Sequence, residues 1–178
     1  MKKTIFILLL ILTISCNKEE NVVPNITDKT YIKLITGINF RQNFDDQVLQ
    51  YGNPNVLVNN MFIIYPNPAI ESVVIQAEEN INAVWLVKAN PEKIHQEINF
   101  NNVLNTNLYN EQLINSISNL SLTSQSSNNI VMNIDTLEQG YYRIFVKIGG
   151  VIYWDNLYKY ENGGNNEEQF DAFSNFWN

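Results

Sequence analysis

The sequence has few of the residue types on which most catalytic and metal chemistry depends. Its 178 residues include one cysteine, Cys16, and one histidine, His95. A single cysteine excludes an intramolecular disulfide, and a zinc site needs several Cys or His ligands that this chain does not have. His95 lies in Ile94-His95-Gln96, which matches no nucleophile motif. We therefore predict a protein that is not an enzyme and that holds no cofactor and no metal.

Nucleotide-binding loops and spaced catalytic carboxylates are also missing. The chain contains neither a GxGxxG sequence nor a P-loop. Its acidic pairs are adjacent residues, whereas glycoside hydrolysis needs two carboxylates held about 5–10 Å apart across a cleft. The pairs are Asp45-Asp46, Glu78-Glu79 and Glu167-Glu168. They indicate solvated charge, and weak Ca²⁺ binding at Asp45-Asp46 or Asp155 is the alternative, without the spacing of an EF-hand loop.

Positive charge is scarce as well. The chain has 11 Lys and Arg residues against 18 Asp and Glu residues, a formal net charge of −7. This argues against nucleic acid as a partner, because a basic surface supplies most of the affinity for it. Loss of residues 1–15 would leave 163 residues with a net charge of −9. That length is enough for one domain with a hydrophobic core.

The apolar run at the N-terminus is too short to span a membrane. It covers about 11 residues from Thr4 to Ile14, whereas a membrane-spanning helix needs about 20. The run follows Lys2-Lys3 and ends at Ser15-Cys16, which is typical of a bacterial lipoprotein signal. We predict that residues 1–15 are the signal peptide, that Cys16 carries the lipid anchor, and that residues 16–28 form a tether. An ordinary secretory signal followed by a cysteine by chance is the alternative.

The residues after the cysteine carry a second signal. Lys18-Glu19-Glu20 resembles the export tag of lipoproteins in the Bacteroidetes group, a lysine followed by an acidic pair. The resemblance implies that Lys18, Glu19 and Glu20 direct the lipid-anchored chain to the outer membrane, facing the cell surface. A solvated tether on a protein that faces the periplasm is the alternative.

Most of the remaining chain consists of short β-branched and aromatic segments separated by turn residues. These segments predict strands at residues 31–41, 61–65, 72–76, 82–88, 130–134, 141–148 and 151–160. Tyr51-Gly52-Asn53-Pro54 reads as a turn, and Gly149-Gly150 as a two-residue hairpin turn. Residues 99–129 fit either a short helix or a loop with an edge strand. The pattern favours an antiparallel β-sandwich over residues 29–160.

The order of these segments resembles the type IX secretion C-terminal sorting domain. The resemblance rests on Tyr65-Pro66-Asn67-Pro68-Ala69, the strands that follow it, Gly140-Tyr141-Tyr142-Arg143-Ile144 and Gly149-Gly150. It covers about residues 60–160 and implies an immunoglobulin-like β-sandwich, mainly β, as found in that family. The chain has no cargo domain upstream and continues past Tyr160. The resemblance therefore implies the fold and not the sorting function.

Residues 161–178 predict a flexible tail with a short C-terminal helix. Phe170, Phe173 and Trp177 fall at helical spacing on one face, and Asn166 is a candidate N-cap. The aromatic face either packs on its own sandwich or contacts a protein partner. In both cases we expect the sandwich to fold without the tail, because the hairpin of its last two strands is complete before residue 161.

Two features bear on the surface of the domain. Asp135-Thr136-Leu137 resembles the O-glycosylation motif of exported Bacteroidetes proteins and marks Thr136. The many aromatic residues fit either core packing or a stacking platform for sugar rings. They are Trp85, Tyr141, Tyr142, Tyr153, Trp154, Tyr158 and Tyr160.

We expect a non-enzymatic outer-membrane lipoprotein, an accessory module that binds an outer-membrane protein; a surface glycan-binding module is the alternative.

Overall fold

The structure is a computed structural model that describes residues 31–178. The predicted signal peptide over residues 1–15 and the tether over residues 16–28 lie outside the described residues. The same holds for the predicted lipidation residue Cys16 and the predicted export residues Lys18, Glu19 and Glu20. All four assignments therefore stay predictions.

The described chain is mainly β, with antiparallel sheets and a short C-terminal helix, as the sequence predicts. Its arrangement agrees with the predicted immunoglobulin-like sandwich. The strands are β1 (Leu34–Ile35), β2 (Gly37–Phe40), β3 (Leu49–Gly52), β4 (Phe62–Tyr65), β5 (Ser72–Lys88), β6 (Asn90–Pro91), β7 (Leu120–Leu122), β8 (Ser127–Asn133), β9 (Gly140–Ile148) and β10 (Val151–Lys159). The α-helices are α1 (Glu111–Ile117) and α2 (Asn166–Trp177), and short 3₁₀ turns cover Tyr31–Lys33 and Phe100–Asn102.

The six-stranded sheet has two parts, one around the first half of the long strand β5 and one around its second half, and we call these parts the two layers. The first half of β5 pairs with β4 and β8, and its second half pairs with β9 and β7. The pairing register shifts around Gln76–Ala83. The sequence predicted two strands here, at residues 72–76 and 82–88, because the exposed polar run Glu78-Glu79-Asn80 resembles a turn. That interpretation is wrong: the chain stays extended through the polar run and serves both layers.

The β9–β10 hairpin is the most regular part of the sheet. Its register runs without a break from Ile148 opposite Val151 to Gly140 opposite Lys159. Gly149 and Gly150 form the turn with φ of 57° and 85°, a conformation that glycine adopts without the Cβ clash of other residues. The predicted hairpin is confirmed.

Three hydrophobic cores hold the layers together. The first contains Val73 and Ile75 from the first half of β5 and Val84 and Leu86 from its second half. The second lies on the opposite face of the second half, around Trp85, Phe145 and Trp154. The third lies beneath α2 and is made by Ile35, Ile38, Ala89, Tyr158, Tyr160, Phe173 and Trp177. Because neighbouring residues in the second half of β5 enter different cores, that half of the strand is buried on both faces.

Other predicted elements need correction. Residues 31–41 form a 3₁₀ turn and two short strands, with β1 parallel to β6 and β2 antiparallel to β3. Tyr51 and Gly52 end strand β3 and do not form a turn. Residues 99–129 contain both features that the sequence left open: helix α1, capped by the Asn110 side chain, and the short strand β7. Ile114 anchors α1 because its side chain enters the second core.

Candidate functional site

Helix α2 packs on its own domain. Phe173 is 1% exposed and Trp177 is 5% exposed, and both belong to the third core. Their predicted role as partner contacts is therefore corrected, because a side chain inside the domain is not accessible to an outside protein. The predicted flexible tail is likewise a helix packed on the sheet. Its cap is Asn165, whose side chain accepts a hydrogen bond from the Glu167 amide, and not Asn166.

Phe170 has a different position from the other two aromatic residues of the helix. It is half-buried and meets Phe40 and Tyr51 edge-on, with ring centroids 5.6 and 6.1 Å away. One side of it borders an open groove of about 580 Å³. We call this the α2 groove; it is lined by Phe40, Gln42, Pro66, Pro68, Ile70, Glu71, Ser72, Tyr160, Asn166 and Phe170. Of the three predicted partner contacts, Phe170 alone reaches it.

The proline segment that lines the α2 groove is held by the buried residue Asn67. Its amide nitrogen donates to the carbonyls of Asn39 and Asn156, each at 2.8 Å. Its amide oxygen accepts from the Tyr158 backbone at 3.0 Å. A backbone pair with Arg41 adds two further bonds, at 2.6 and 2.9 Å. The wall formed by Pro66 and Pro68 is thus tied to β2 and β10, so it does not depend on a ligand for its position.

The one charged side chain of residues 31–178 that lines the α2 groove is acidic. Glu71 lines it directly and is exposed, and Asn166 at its other side begins the helix that exposes Glu167, Glu168 and Asp171. The floor, in contrast, is made of proline, isoleucine and aromatic side chains. The groove therefore favours an apolar group that is flanked by positive charge.

A second concavity lies on the other side of β2, and amide side chains predominate in its larger lobe. It has two lobes, of about 480 and 270 Å³, which share Asn39, Gln50, Val58 and Asn60. We call it the amide cleft. The larger lobe adds Asn53, Pro54, Val56, Asn59, Ile98, Asn99, Phe100 and Asn101. The smaller lobe adds Arg41, Val48, Phe62, Ile63, Ile64 and Asp155.

Asp155 is the single carboxylate that lines the amide cleft. It is 5% exposed, and its Oδ1 accepts from the Asn39 side chain at 3.2 Å and from the Asn156 amide at 2.7 Å. Burial raises the pKa of Asp155 from 3.8 to about 6, against the opposing effects of these two bonds and of Arg41 and Arg143. A buried carboxylate of this kind is a common mark of a functional site.

Only one of the two oxygens of the Asp155 carboxylate accepts hydrogen bonds from the described part of the protein. Within residues 31–178 its Oδ2 has no hydrogen-bond partner, yet it is not among the buried unsatisfied atoms, so it faces the cleft. Arg41 lines the same lobe and acts electrostatically on Asp155, and its guanidinium makes no hydrogen bond or ion pair in the described part of the chain. One free acceptor and a set of free donors therefore lie at the same end of the cleft.

The guanidinium donors of the buried Arg143, in contrast, are occupied by hydrogen bonds within the protein. Its guanidinium donates to the carbonyls of Leu34 at 2.6 Å and Tyr31 at 3.1 Å. It also donates to the Asn156 side chain at 3.2 Å and the Tyr109 hydroxyl at 3.3 Å. These bonds tie the N-terminal turn and β1 to the β9–β10 hairpin. Arg143 thus stabilises the fold and offers no free donor to a ligand.

Of the two interpretations that the sequence left open for the aromatic residues, the structure supports core packing and not a stacking platform. Trp85 and Trp154 are fully buried, and Tyr142, Tyr158 and Tyr160 are 1–8% exposed. Tyr141 and Tyr153 are half-buried. The strands that carry these residues are covered on both faces, so alternation along a strand does not bring half of its aromatic residues to the surface.

The other predicted positions have simple surroundings. Thr136 is exposed in the turn after β8, which keeps it accessible to modification, and its glycosylation stays a prediction. His95 is half-buried with φ of 57°, and its Nε2 lies 3.3 Å from the Tyr31 hydroxyl.

Within residues 31–178 no group of three or more His, Cys, Asp or Glu residues is placed so that it could hold a metal ion. No helix in that part of the chain has the length and apolar character to cross a membrane.

The chain was compared with protein-family models, curated proteins and solved structures. None of the three comparisons finds a match. The resemblance to the type IX sorting domain therefore stays a prediction.

The sequence named a few residues of the two concavities without showing that they would form them: Phe170 as a partner contact, Pro66-Asn67-Pro68 through the family resemblance, and Asp155 for weak Ca²⁺ binding. Asn67 stands between two prolines, and Asp155-Asn156 is a polar pair between Trp154 and Leu157. Polar residues among apolar neighbours were the available signal for buried, hydrogen-bonded positions. Arg41 and the asparagines of the cleft come from loops far apart in the chain. Only folding brings them together.

Proposed function

We propose that this protein is a non-enzymatic, lipid-anchored module of the outer membrane that binds an outer-membrane protein partner. The α2 groove is the observation that carries the proposal. It is an apolar concavity of about 580 Å³ that stays open after the domain has formed three cores of its own. A soluble domain that leaves such a surface uncovered gains from a partner that buries it.

The charge of the α2 groove defines the partner. Its acidic rim, Glu71 with the nearby acidic turn of α2, belongs to a chain whose net charge is −7. We infer that the occupant is a surface segment that places an apolar side chain against Pro66, Pro68 and Ile70. Lysine or arginine residues flank that side chain and meet the rim.

The proposed anchor is compatible with a partner in the same membrane. From Cys16 to Tyr31, the first described residue, the chain reaches at most about 50 Å when fully extended. A lipid at Cys16 would keep the domain within that distance of the bilayer. Confinement raises the effective concentration of a membrane partner, so a modest groove affinity is sufficient.

Site-specific crosslinking in the native membrane tests the proposal. A photoreactive residue at exposed Gln42, on the rim, is expected to crosslink to one outer-membrane protein at a segment that contains apolar and basic residues. Glu71→Lys should abolish the crosslink, because it reverses the charge of the rim. Glu79→Lys is the matched control, an exposed glutamate on β5 that does not line the groove.

Two results would contradict the proposal. One is the absence of any crosslink from position 42 while the protein is present in the outer membrane. The other is a crosslink of equal yield in Glu71→Lys and Glu79→Lys. Thermal unfolding of both variants must show a folded domain, because Glu71 acts electrostatically on Lys159: burial lowers the pKa of the Lys159 ammonium, and the carboxylates of Asp135 and Glu71 oppose that shift.

A further inference from the structure

We infer that the amide cleft binds a neutral polyhydroxylated ligand, a sugar residue of a glycan, through Asp155, Arg41 and the amides of β2, β3 and the adjoining loops. This goes beyond the proposed partner groove and does not depend on it. The inference replaces the aromatic platform, whose residues are buried, with a different set of residues.

Asp155 provides the first argument. The carboxylate is nine-tenths or more buried, yet the protein uses only its Oδ1, and Oδ2 faces the cleft. A buried charge with an unused oxygen lowers the stability of a fold that gains nothing else from it. A ligand group that donates a hydrogen bond to Oδ2 accounts for its presence.

The charges around the cleft exclude ionic ligands. A metal cation would need further carboxylates, and none lines the cleft besides Asp155. An organic cation would meet Arg41 in the same lobe, and the buried Arg143 also acts electrostatically on Asp155. An anion would face the Asp155 carboxylate at close range. A neutral ligand avoids all three penalties.

The hydrogen-bonding groups match hydroxyls. Arg41 offers free donors and Asp155 a free acceptor, and a hydroxyl placed between them accepts from one and donates to the other. Gln50 donates to Asn39 at 3.2 Å, and Asn39 donates to Asp155, so this relay is fixed before a ligand arrives. Asn60 makes no side-chain hydrogen bond within residues 31–178, so both ends of its amide are free at the shared part of the cleft.

The shape of the cleft also fits a sugar. The two lobes, about 480 and 270 Å³, together have the size of a small-molecule site. Aliphatic side chains, among them Val56 and Val58, lie between the amides and can pack against the C–H faces of a ring. Asn59 and Asn60 both have positive φ, 45° and 58°, a conformation that asparagine tolerates better than most residues. This turn carries the Asn60 amide at the mouth of the cleft.

The test uses the full chain, purified in detergent, on an array of neutral oligosaccharides built from glucose, mannose, galactose and N-acetylglucosamine. Calorimetry with the best binder then gives the affinity. We expect at least one oligosaccharide to bind. Asp155→Asn should weaken binding by about tenfold or more, as for a lost bond to a charged group, and Gln50→Ala by roughly threefold to tenfold, as for a lost bond between neutral groups. Asn128→Ala is the control, an exposed amide on β8 that lies outside the cleft.

Asp155→Asn keeps the shape of the side chain and the acceptor at Oδ1, so it is expected to fold. Gln50 is exposed, so its loss also leaves the domain folded. The assignment is wrong if no oligosaccharide of the array binds. It is also wrong if binding is equal in wild type, Asp155→Asn and Gln50→Ala. Retention of peptides, lost in the same two variants, with no glycan bound, would overturn it too, because the cleft would then be a peptide site.

Discussion

Phe173 is the residue through which we expect α2 to stabilise the domain. Its side chain is 1% exposed, and its ring lies 5.1 Å from that of Tyr51 and 5.2 Å from that of Tyr158. Phe173→Ala removes these contacts and leaves a cavity beneath the helix. Substitutions of this kind cost about 3–5 kcal/mol of unfolding free energy. A domain has only about 5–15 kcal/mol in total, so the change is a large fraction of its stability.

The predicted fall in melting temperature is roughly 6–20 °C for a domain of this size. Thermal unfolding followed by circular dichroism measures it. The matched control is Phe176→Ala on the same helix. Phe176 is 38% exposed, so its loss should cost about 1 kcal/mol or less and shift the melting temperature by only a few degrees.

Deletion of residues 161–178 should lower the stability at least as much as Phe173→Ala, because it removes Trp177 as well. The sequence favoured the opposite outcome, a sandwich that folds unchanged without its tail. Equal and small effects of Phe173→Ala and Phe176→Ala, together with an unchanged melting temperature of the deletion variant, would refute the packing described for α2.

Three further predictions concern single positions. Gly52→Ala should lower the free energy of unfolding by about 1–3 kcal/mol in chemical unfolding, because Gly52 has φ of 66° and a Cβ there would lie 2.6 Å from the Trp177 ring. The control is Gly163→Ala, where φ is 73° but the surrounding space is open, so that it should show the cost of the backbone strain alone. The folded pKa of Asp155 is raised, so its proton stabilises the fold at low pH and that stabilisation is lost as the pH rises from about 4 through about 6. Relative to wild type, Asp155→Asn should therefore gain about 3 kcal/mol between pH 4 and pH 8, and a constant difference across that range would contradict the buried carboxylate. Cys16→Ala should abolish incorporation of labelled fatty acid; continued labelling would place the anchor elsewhere.

Local pattern was sufficient where neighbouring residues define the structure. Gly149-Gly150 between two β-branched and aromatic runs predicted the β9–β10 hairpin, because positive φ at two successive positions is a local requirement. The spacing of Phe170, Phe173 and Trp177 predicted α2 for the same kind of reason. The predicted lipoprotein signal is also a local pattern, because it depends on residues 1–20 alone, and it stays a prediction.

The sequence pattern did not predict the structure correctly where contacts between residues far apart in the chain determine it. The exposed run Glu78-Glu79-Asn80 resembles a turn, but β4, β8, β7 and β9 supply hydrogen-bond partners on both sides of it and keep β5 extended. Likewise, the helical spacing of the tail did not show whether its aromatic face would meet the domain or a partner. Trp177 packs within van der Waals distance of Gly52, 125 residues earlier in the chain, and that contact exists only in the tertiary structure.

The sequence by itself determined that the chain is mainly β, acidic and poor in histidine and cysteine, and it predicts an N-terminal export signal, because composition and short-range periodicity carry that information. The tertiary structure alone decided which polar residues are buried. Asp155 and Arg41 lie more than a hundred residues apart, yet they face one cleft because β10 and β2 lie side by side. A carboxylate acquires its raised pKa from surroundings that come from the whole fold, and its neighbours in the chain do not specify them.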